Sequence, residues 1–495
     1  MEGDPVMIVT APKKVINGWA MYDWANSVYN LVITTTFFPI YFLTSTEQHF
    51  KSTNIPFLGR TFDNSALYSF SLAAAYLLIS LFYPVLTSIA DNRGNKKNFM
   101  RFFCYMGAAG CSLLYFFDGS NLGWGIGCFI LASMGFVGSL VFYNAYLPEI
   151  AAPEDQDAVS AKGFSYGYIG SVILQVIGFG LVMAFHQAPI SLRLTFLLVG
   201  IWWAGFAQIT FAVLPKSRGN AARVGTIFQA AFSEVRKVYR EIRKMSVLKR
   251  FLRGFFFYSM GVQTVMLAAT LFGSKLLHLD EIKLIVTIVL IQLVAIIGAT
   301  WMSRLSARYG NLRVLMGVVV IWIFVCVSAY LTAGRAEKLS VFHDRIAQLE
   351  RQKEDLEGRR TKMSAGDFDV QDATVEGELS RWKLDLSPRQ EPIEYSFYVL
   401  ALMVGLVMGG IQSLSRSTYS KLMPETTDTA SYFSYYDLTE KIAIVIGMGS
   451  FGLITQQLSM KNSVISLTIF FVIGWACLYS ARIKQNKTVA VHASI

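Results

Sequence analysis

Apolar residues in this chain gather into runs separated by short polar links. A run of about 20 such residues forms a helix long enough to cross roughly 30 Å of hydrocarbon. In hydrocarbon every backbone N–H and C=O must be satisfied within the protein, so only helices or closed barrels span a membrane. Barrel strands alternate apolar and polar residues over about ten positions, and that alternation is absent here. The residues are 54% hydrophobic and 16% charged, against about 25% charged in soluble domains. Twelve helical spans are predicted, at 16–43, 66–89, 99–117, 123–147, 163–185, 192–214, 252–277, 282–303, 312–333, 395–420, 431–456 and 462–482. The fold class is therefore an all-α membrane protein.

An even number of spans places both termini on one side. The link 215–253 carries 11 Lys and Arg against Glu234 and Glu241. Basic residues are retained on the cytoplasmic side, so both termini and this link are expected there. The net charge of +11 is explained by this placement, and no nucleic-acid partner is expected. The first apolar run is too long for a signal-peptide core and reads as an uncleaved span. Cys104, Cys111, Cys128, Cys326 and Cys477 sit inside apolar runs, without the spacing of a metal site or a disulfide framework. The histidines (His49, His186, His278, His343 and His492) are scattered, and no metal or cofactor is expected.

Link 215–251 divides the spans into halves at 1–214 and 252–482, followed by a tail at 483–495. Within it Val224, Ile227, Phe228, Ala231, Phe232, Val235, Val238, Tyr239 and Ile242 recur at spacings of mostly three and four. Arg236, Lys237, Arg240, Arg243 and Lys244 take the other side. An amphipathic helix over 224–244, lying on an anionic leaflet, is predicted. The second long link, 334–394, holds 11 basic and 14 acidic residues. Leu339, Phe342, Ile346, Leu349 and Leu356 stand at near-heptad spacing, so a helical excursion is predicted, followed by an irregular stretch to Pro392. It either covers the outer mouth or docks an extracytoplasmic partner; otherwise a monomer is expected.

The two halves echo each other. Ala90-Asp91-Asn92-Arg93-Gly94-Asn95-Lys96-Lys97 follows the second span, and Ser306-Ala307-Arg308-Tyr309-Gly310-Asn311-Leu312-Arg313 follows the eighth. Leu147-Pro148-Glu149 closes the fourth span as Met423-Pro424-Glu425 closes the tenth. Phe164-Ser165-Tyr166 matches Phe433-Ser434-Tyr435 on the fifth and eleventh. Parallel six-helix repeats about an axis along the membrane normal resemble the architecture of major facilitator transporters.

Asp23, Asn26, Ser27, Asn30 and Thr34 share one face of the first span. A carboxylate facing lipid costs several kcal/mol, so that face should look into the bundle. Asp23 is then a candidate to bind a proton or a substrate amine, or a structural carboxylate paired with a cation. Gln412, Ser413, Arg416, Ser417 and Ser420 form a polar face on the tenth span. Asp437, Glu440 and Lys441 gather on the eleventh, with Asp437 and Lys441 at the i,i+4 spacing of a pair. Asp23, Arg416, Asp437 and Glu440 all fall in the cytoplasmic half. They form either a network that opens when the halves rock or a permanent one. Asn144, Tyr166, Tyr168, Gln175, Gln208, Gln263 and Gln292 add uncharged groups, whose default role is interhelical packing. No phosphate-cradling loop, His-Glu-x-x-His or nucleophile elbow occurs, so no enzyme activity is expected.

The loop Asp91–Lys97 resembles the major facilitator signature Asp-Arg-x-Gly-Arg-Arg/Lys, departing at Asn92 and Asn95. That resemblance implies a conformational charge relay on Asp91, Arg93 and Lys96. Tyr22-Asp23-Trp24-Ala25-Asn26-Ser27, Tyr143-Asn144-Ala145-Tyr146-Leu147-Pro148-Glu149, Gly261-Val262-Gln263-Thr264 and Gly410-Ile411-Gln412-Ser413-Leu414-Ser415-Arg416-Ser417 are similar to the autophagy-related vacuolar effluxer family and its bacterial branch. Ser259-Met260 replaces an Asn-Asp common in that family, and Gly447-Met448 a Gly-Pro. The resemblance implies alternating-access efflux or exchange of small polar metabolites, amino acids first, with proton coupling, in a bacterial inner membrane. The expected substrate and coupling residues are Asp23, Asn26, Asn30, Asn144, Gln263, Gln412 and Arg416. The expected inner-gate residues are Asp91, Arg93, Lys96, Arg308, Asp437, Glu440 and Lys441. A sugar or muropeptide permease, a lysolipid flippase, and a receptor or scaffold acting through 334–394 are the alternatives.

Overall fold

The computed structural model describes residues 9–185, 188–216, 227–277, 279, 281–360 and 364–493. His186, His278 and Val224 lie outside the described residues. The first six spans are Lys13–Phe50, Asn64–Arg93, Lys96–Leu113, Leu122–Ala145, Gln156–Ala184 and Pro189–Val213. The second six are Ser246–Leu271, Glu281–Tyr309, Asn311–Glu337, the C-terminal part of Ala365–Leu422, Thr429–Gln457 and Met460–Ala493. Eleven of these stretches, counted among the described residues, are long and apolar enough by composition to cross a membrane. The remaining one, Ser246–Leu271, opens with Lys249, Arg250 and Arg253 and packs along the eleventh and twelfth spans.

Local chemistry starts these helices where they start. Asp63 caps the second span by accepting from the N–H groups of Ser65 and Ala66, and Asn121 caps the fourth by accepting from Trp124. The turns after the second and eighth spans both need left-handed backbone, and glycine supplies it at Gly94 (φ 61°) and Gly310 (φ 85°). These are corresponding positions in the two echoed loops. Packing repeats as well: the first span meets the fifth and sixth as the seventh meets the eleventh and twelfth. The second meets the fourth as the eighth meets the tenth, and the third meets the sixth as the ninth meets the twelfth. The chain is a major facilitator fold of twelve transmembrane helices in two pseudo-symmetric halves. The halves touch mainly where the fifth span meets the eighth and tenth and the second meets the eleventh.

Both first helices of the halves depart from regular α geometry. The first span is π-helical over Tyr29–Phe37 and the seventh continues as a π turn over Phe272–Leu276. Such segments often mark functional positions, and the first includes Asn30. Between the first and second spans Asn54–Phe57 pairs antiparallel with Arg60–Asp63. This hairpin, which helical periodicity does not reveal, closes at Leu58 and Gly59, both at positive φ.

The predicted irregular stretch before Pro392 is instead helical. Ser340–Arg359 is followed by one 58-residue helix, Ala365–Leu422, that runs through Pro388 and Pro392 into the tenth span. Proline inside a helix costs about 3 kcal/mol, and tertiary bonds around these positions offset it. Gln390 Nε2 donates to the Leu277 carbonyl at 2.7 Å, and Lys283 pairs with Glu394 at 2.6 Å. The N-terminal part of the long helix lies against Ser340–Arg359 as a helical hairpin. Its seam buries Ile346, Leu349 and Leu356 with Phe368, Val375, Leu379 and Leu386. Arg345–Glu378, Lys353–Glu376 and Lys383–Glu350 flank the seam. The bond from Lys353 holds the Glu376 carboxyl below its usual range. Leu349→Ala removes a fully buried seam contact, typically about 2–5 kcal/mol. Limited proteolysis within the hairpin should accelerate at least tenfold, while transmembrane fragments stay protected.

The linker helix, Ile227–Lys244, packs on the second, seventh and eleventh spans. Val238 and Ile242 are buried against the bundle, while Arg236, Arg240, Arg243 and Lys244 remain exposed. Lys237 pairs with Asp428 at 2.9 Å, and the Tyr432 hydroxyl donates to Glu241 at 2.5 Å. The side bearing this helix is called the linker side below, and the opposite one the hairpin side.

Candidate functional site

A cavity of about 180 Å³ lies between the halves. The first span brings Asp23, Asn26, Ser27 and Asn30 to it, the fourth Asn144 and the seventh Gln263. The tenth contributes Gln412 and Arg416, and the eleventh Asp437, Glu440 and Lys441. The structure therefore gathers residues spread over more than 400 positions of sequence around one space.

At its linker-side end Arg416 crosses between the halves. Its Nη1 lies 3.3 Å from Asp23 Oδ2 and 3.2 Å from Asn144 Oδ1. Its Nε donates to Ser160 Oγ at 2.9 Å and its Nη2 to the Ser160 carbonyl at 2.8 Å. Phe164 and Trp19 cover the guanidinium, 4.2 and 4.9 Å from their ring centres. Asp23 also accepts from the Tyr143 hydroxyl at 2.7 Å. A planar fork with five donors suits this enclosure, where lysine offers a point charge. The fifth span can come this close because residue 163 is glycine: a Cβ there would stand 2.5 Å from Asp23 Oδ2.

On the eleventh span the expected i,i+4 pair does not form. Lys441 pairs with its neighbour Glu440 at 3.1 Å and lies 5.4 Å from the centre of the Tyr76 ring. Asp437 instead accepts from the Tyr83 hydroxyl of the second span at 3.1 Å, because that helix packs directly on its face. Gln263 Nε2 donates to Glu440 at 2.9 Å, and the Tyr168 hydroxyl donates to Gln412 at 2.6 Å. Asn26 is buried, and its Nδ2 has no partner among the described residues.

Beyond the cavity a second layer joins the halves on the linker side. Lys96, wholly buried, meets Asp91 at 3.0 Å and Glu149 at 2.5 Å. It also reaches across to Thr429 Oγ1 at 2.7 Å and the Thr427 carbonyl at 3.1 Å. Asp91 accepts from the N–H groups of Ala430 and Ser431 at the start of the eleventh span, at 3.2 and 2.8 Å. A carboxylate there satisfies two free N–H donors and the positive end of the helix. A further crossing starts from Asp157 on the fifth span, which accepts from Ser306 and Asn311 of the second half at 2.6 Å each and pairs with Lys421 at 2.7 Å.

Two expected gate residues stand outside this layer. Arg93 is exposed, and Arg308 is exposed with its guanidinium 5.3 Å from the Tyr309 ring centre. Their helix positions turn them outward, and in the second half Lys421, on the tenth span, supplies the cation that Arg308 was expected to supply. Sequence reasoning missed Tyr143, Asp157, Ser160 and Lys421 as members of the network. Lys421 precedes Pro424-Glu425 by three residues and Asp157 follows Pro148-Glu149 by eight, the one sequence signal near them.

A fold of this kind, with a polar cavity between two six-helix halves, defines a major facilitator transporter. The family description "Vacuole effluxer Atg22 like" matches residues 11–342 and 388–490, and the chain belongs to that family. It is 27% identical over 466 residues to "Uncharacterized MFS-type transporter YxiO" of Bacillus subtilis, covering 92% of each chain. It is 26% identical over 346 residues to "Autophagy-related protein 22-1" of Aspergillus niger, covering 68% of this chain and 49% of that one. The chain thus spans about half the length of that fungal relative. Among solved structures, the human organic anion transporter MFSD10 superposes with a TM-score of 0.65 at 12% identity, covering 94% of this chain and 99% of that one. The proton:xylose symporter XylE gives 0.63 at 10%, covering 94% and 95%. These likenesses establish the fold.

Arg416→Ala leaves the Asp23 carboxylate buried without its cation, a change that typically costs about 3–5 kcal/mol. A lowered melting temperature in detergent is expected. The double variant Asp23→Asn/Arg416→Gln should melt above Arg416→Ala, because no lone charge remains.

Proposed function

We propose that this protein is an ion-coupled exporter or exchanger of small zwitterionic metabolites, with amino acids as the leading cargo. The observation that carries this reading is the paired charge of the cavity. Lys441 and Arg416 can meet a carboxylate, Asp23, Asp437 and Glu440 an ammonium group, and the amides orient the rest. A sugar needs no such charges, and a lipid chain would have to lie beside five charged side chains that it cannot pair. Three acids face two bases, so one negative charge is left over when all are ionised. A zwitterion brings no net charge, and a proton supplies the balancing one.

Transport then follows from the seal. Closing the linker side requires Arg416 on Asp23, Lys96 across to Thr429, and Asp91 on the eleventh helix. Cargo and proton at Asp23 weaken the first of these and let the halves rock. The excess of Lys and Arg in the linker supports a cytoplasmic linker side in an inner membrane, and the exposed basic face of its helix suits anionic headgroups. The hairpin, whose central residues 343–387 fall outside the family match, is an accessory to transport rather than its seat.

Proteoliposomes containing a pH-sensitive dye test this. Amino acids should trigger proton flux in wild type, and Asp23→Asn should lose it at least tenfold. Removing 343–387 should leave the flux within about threefold. Flux triggered by sugars and not by amino acids would overturn the cargo assignment, and undiminished flux in Asp23→Asn would overturn the role of Asp23.

A further inference from the structure

A second polar pocket lies on the linker side of the second half, away from the central cavity. It has a volume of about 310 Å³ and is lined by the turn between the eighth and ninth spans and by the linker-side ends of the tenth and twelfth. Three cations surround it: Arg313, Lys421 and Arg482. Neither Arg313 nor Arg482 has an acid or a hydrogen-bond partner among the described residues, although Arg482 is half-buried. No Asp or Glu is among the described residues that line the space. Thr418, 1% exposed and with an unpartnered hydroxyl, forms part of the wall. Gln485 and Asn486 add amides.

The backbone contributes in the same sense. The ninth helix begins at Asn311 after Gly310 and has no side-chain cap, so its first-turn N–H groups and its positive end lie at the pocket. Unpaired guanidiniums beside an uncapped helix start are the recognition chemistry of a phosphate group. Placed between helix ends at the expected headgroup level, such a pocket is within reach of an anionic lipid.

We infer that this pocket binds a phosphate-bearing anion through Arg313, Arg482 and Lys421. The phosphate belongs either to an anionic phospholipid of the linker-side leaflet or to a soluble phosphate. Lys421 is shared with the interface between the halves, where it holds Asp157 at 2.7 Å. A bound anion and Asp157 therefore compete for one ammonium group.

The test is titration of the full-length protein, purified in a neutral detergent, with dioctanoyl phosphatidylglycerol, dioctanoyl phosphatidylcholine and inorganic phosphate, read by native mass spectrometry. Phosphatidylglycerol should bind, and Arg313→Gln/Arg482→Gln should weaken it at least tenfold. Arg351→Gln/Arg381→Gln, both exposed on the helical hairpin of the opposite side, should leave it unchanged. Inorganic phosphate binding that is lost in the same pocket variant, without lipid binding, would identify the soluble source. Equal binding of phosphatidylcholine, or anion binding that the pocket variant leaves unchanged, would overturn the inference. Should the double variant aggregate, Arg313→Gln alone, at an exposed position, gives the same reading with a smaller loss.

Discussion

The ion pair of Arg416 and Asp23 is the interaction that joins the two halves at the linker-side end of the cavity. Its members come from the tenth and first spans, so it is a bond between halves and not within one. Taking both charges out of water carries a desolvation cost of several kcal/mol per ion, which attraction repays only when the remaining donors and acceptors are satisfied. Here most are. Ser160 and Asn144 accept three of the other four guanidinium N–H bonds, Tyr143 holds the carboxylate, and two aromatic rings exclude solvent. Most of these partners belong to the first half. Arg416 is thus a plug from the second half seated in a socket of the first, stable when matched and costly when half-filled.

The outer layer repeats the same logic with different chemistry. Asp91 and Asp157 both come from the first half and bond across to the second, yet one binds a helix start and a buried lysine, the other two neutral side chains and Lys421. In the proposed mechanism such a set of directional bonds opens as a unit, because loosening one geometry misaligns the rest. Such bistability, rather than gradual deformation, is what two-state rocking requires. The linker helix adds to it from outside the membrane spans through Lys237–Asp428 and Glu241–Tyr432.

Much of this was legible in the sequence, for physical reasons. A bilayer forces apolar runs to declare themselves, so the spans and the six-plus-six division follow from composition alone. Asp23, Arg416, Asp437 and Glu440 stood out because charge at membrane depth is expensive. What was not legible is which face meets which. Asp437 and Lys441 have the spacing of a pair, but Tyr83 and Glu440 claim them. Arg93 and Arg308 sit in the right loops and point away. The stretch to Pro392 was expected to be irregular, and tertiary bonds from Gln390 and Glu394 carry the helix through Pro388 and Pro392. At Asp437 and at Pro388 and Pro392 a tertiary contact overrides a local rule.

The central claim is that the linker side opens by separation of the halves once Arg416 releases Asp23. Spin labels at Arg93 and Arg308, both exposed and in opposite halves, report this directly in a cysteine-free background. Double electron–electron resonance in lipid nanodiscs should give one short-distance population in wild type. In Asp23→Asn/Arg416→Gln a longer population should become prominent. An unchanged single distance in that variant, with the protein folded, would contradict the account and make the ion pair a static element of the bundle.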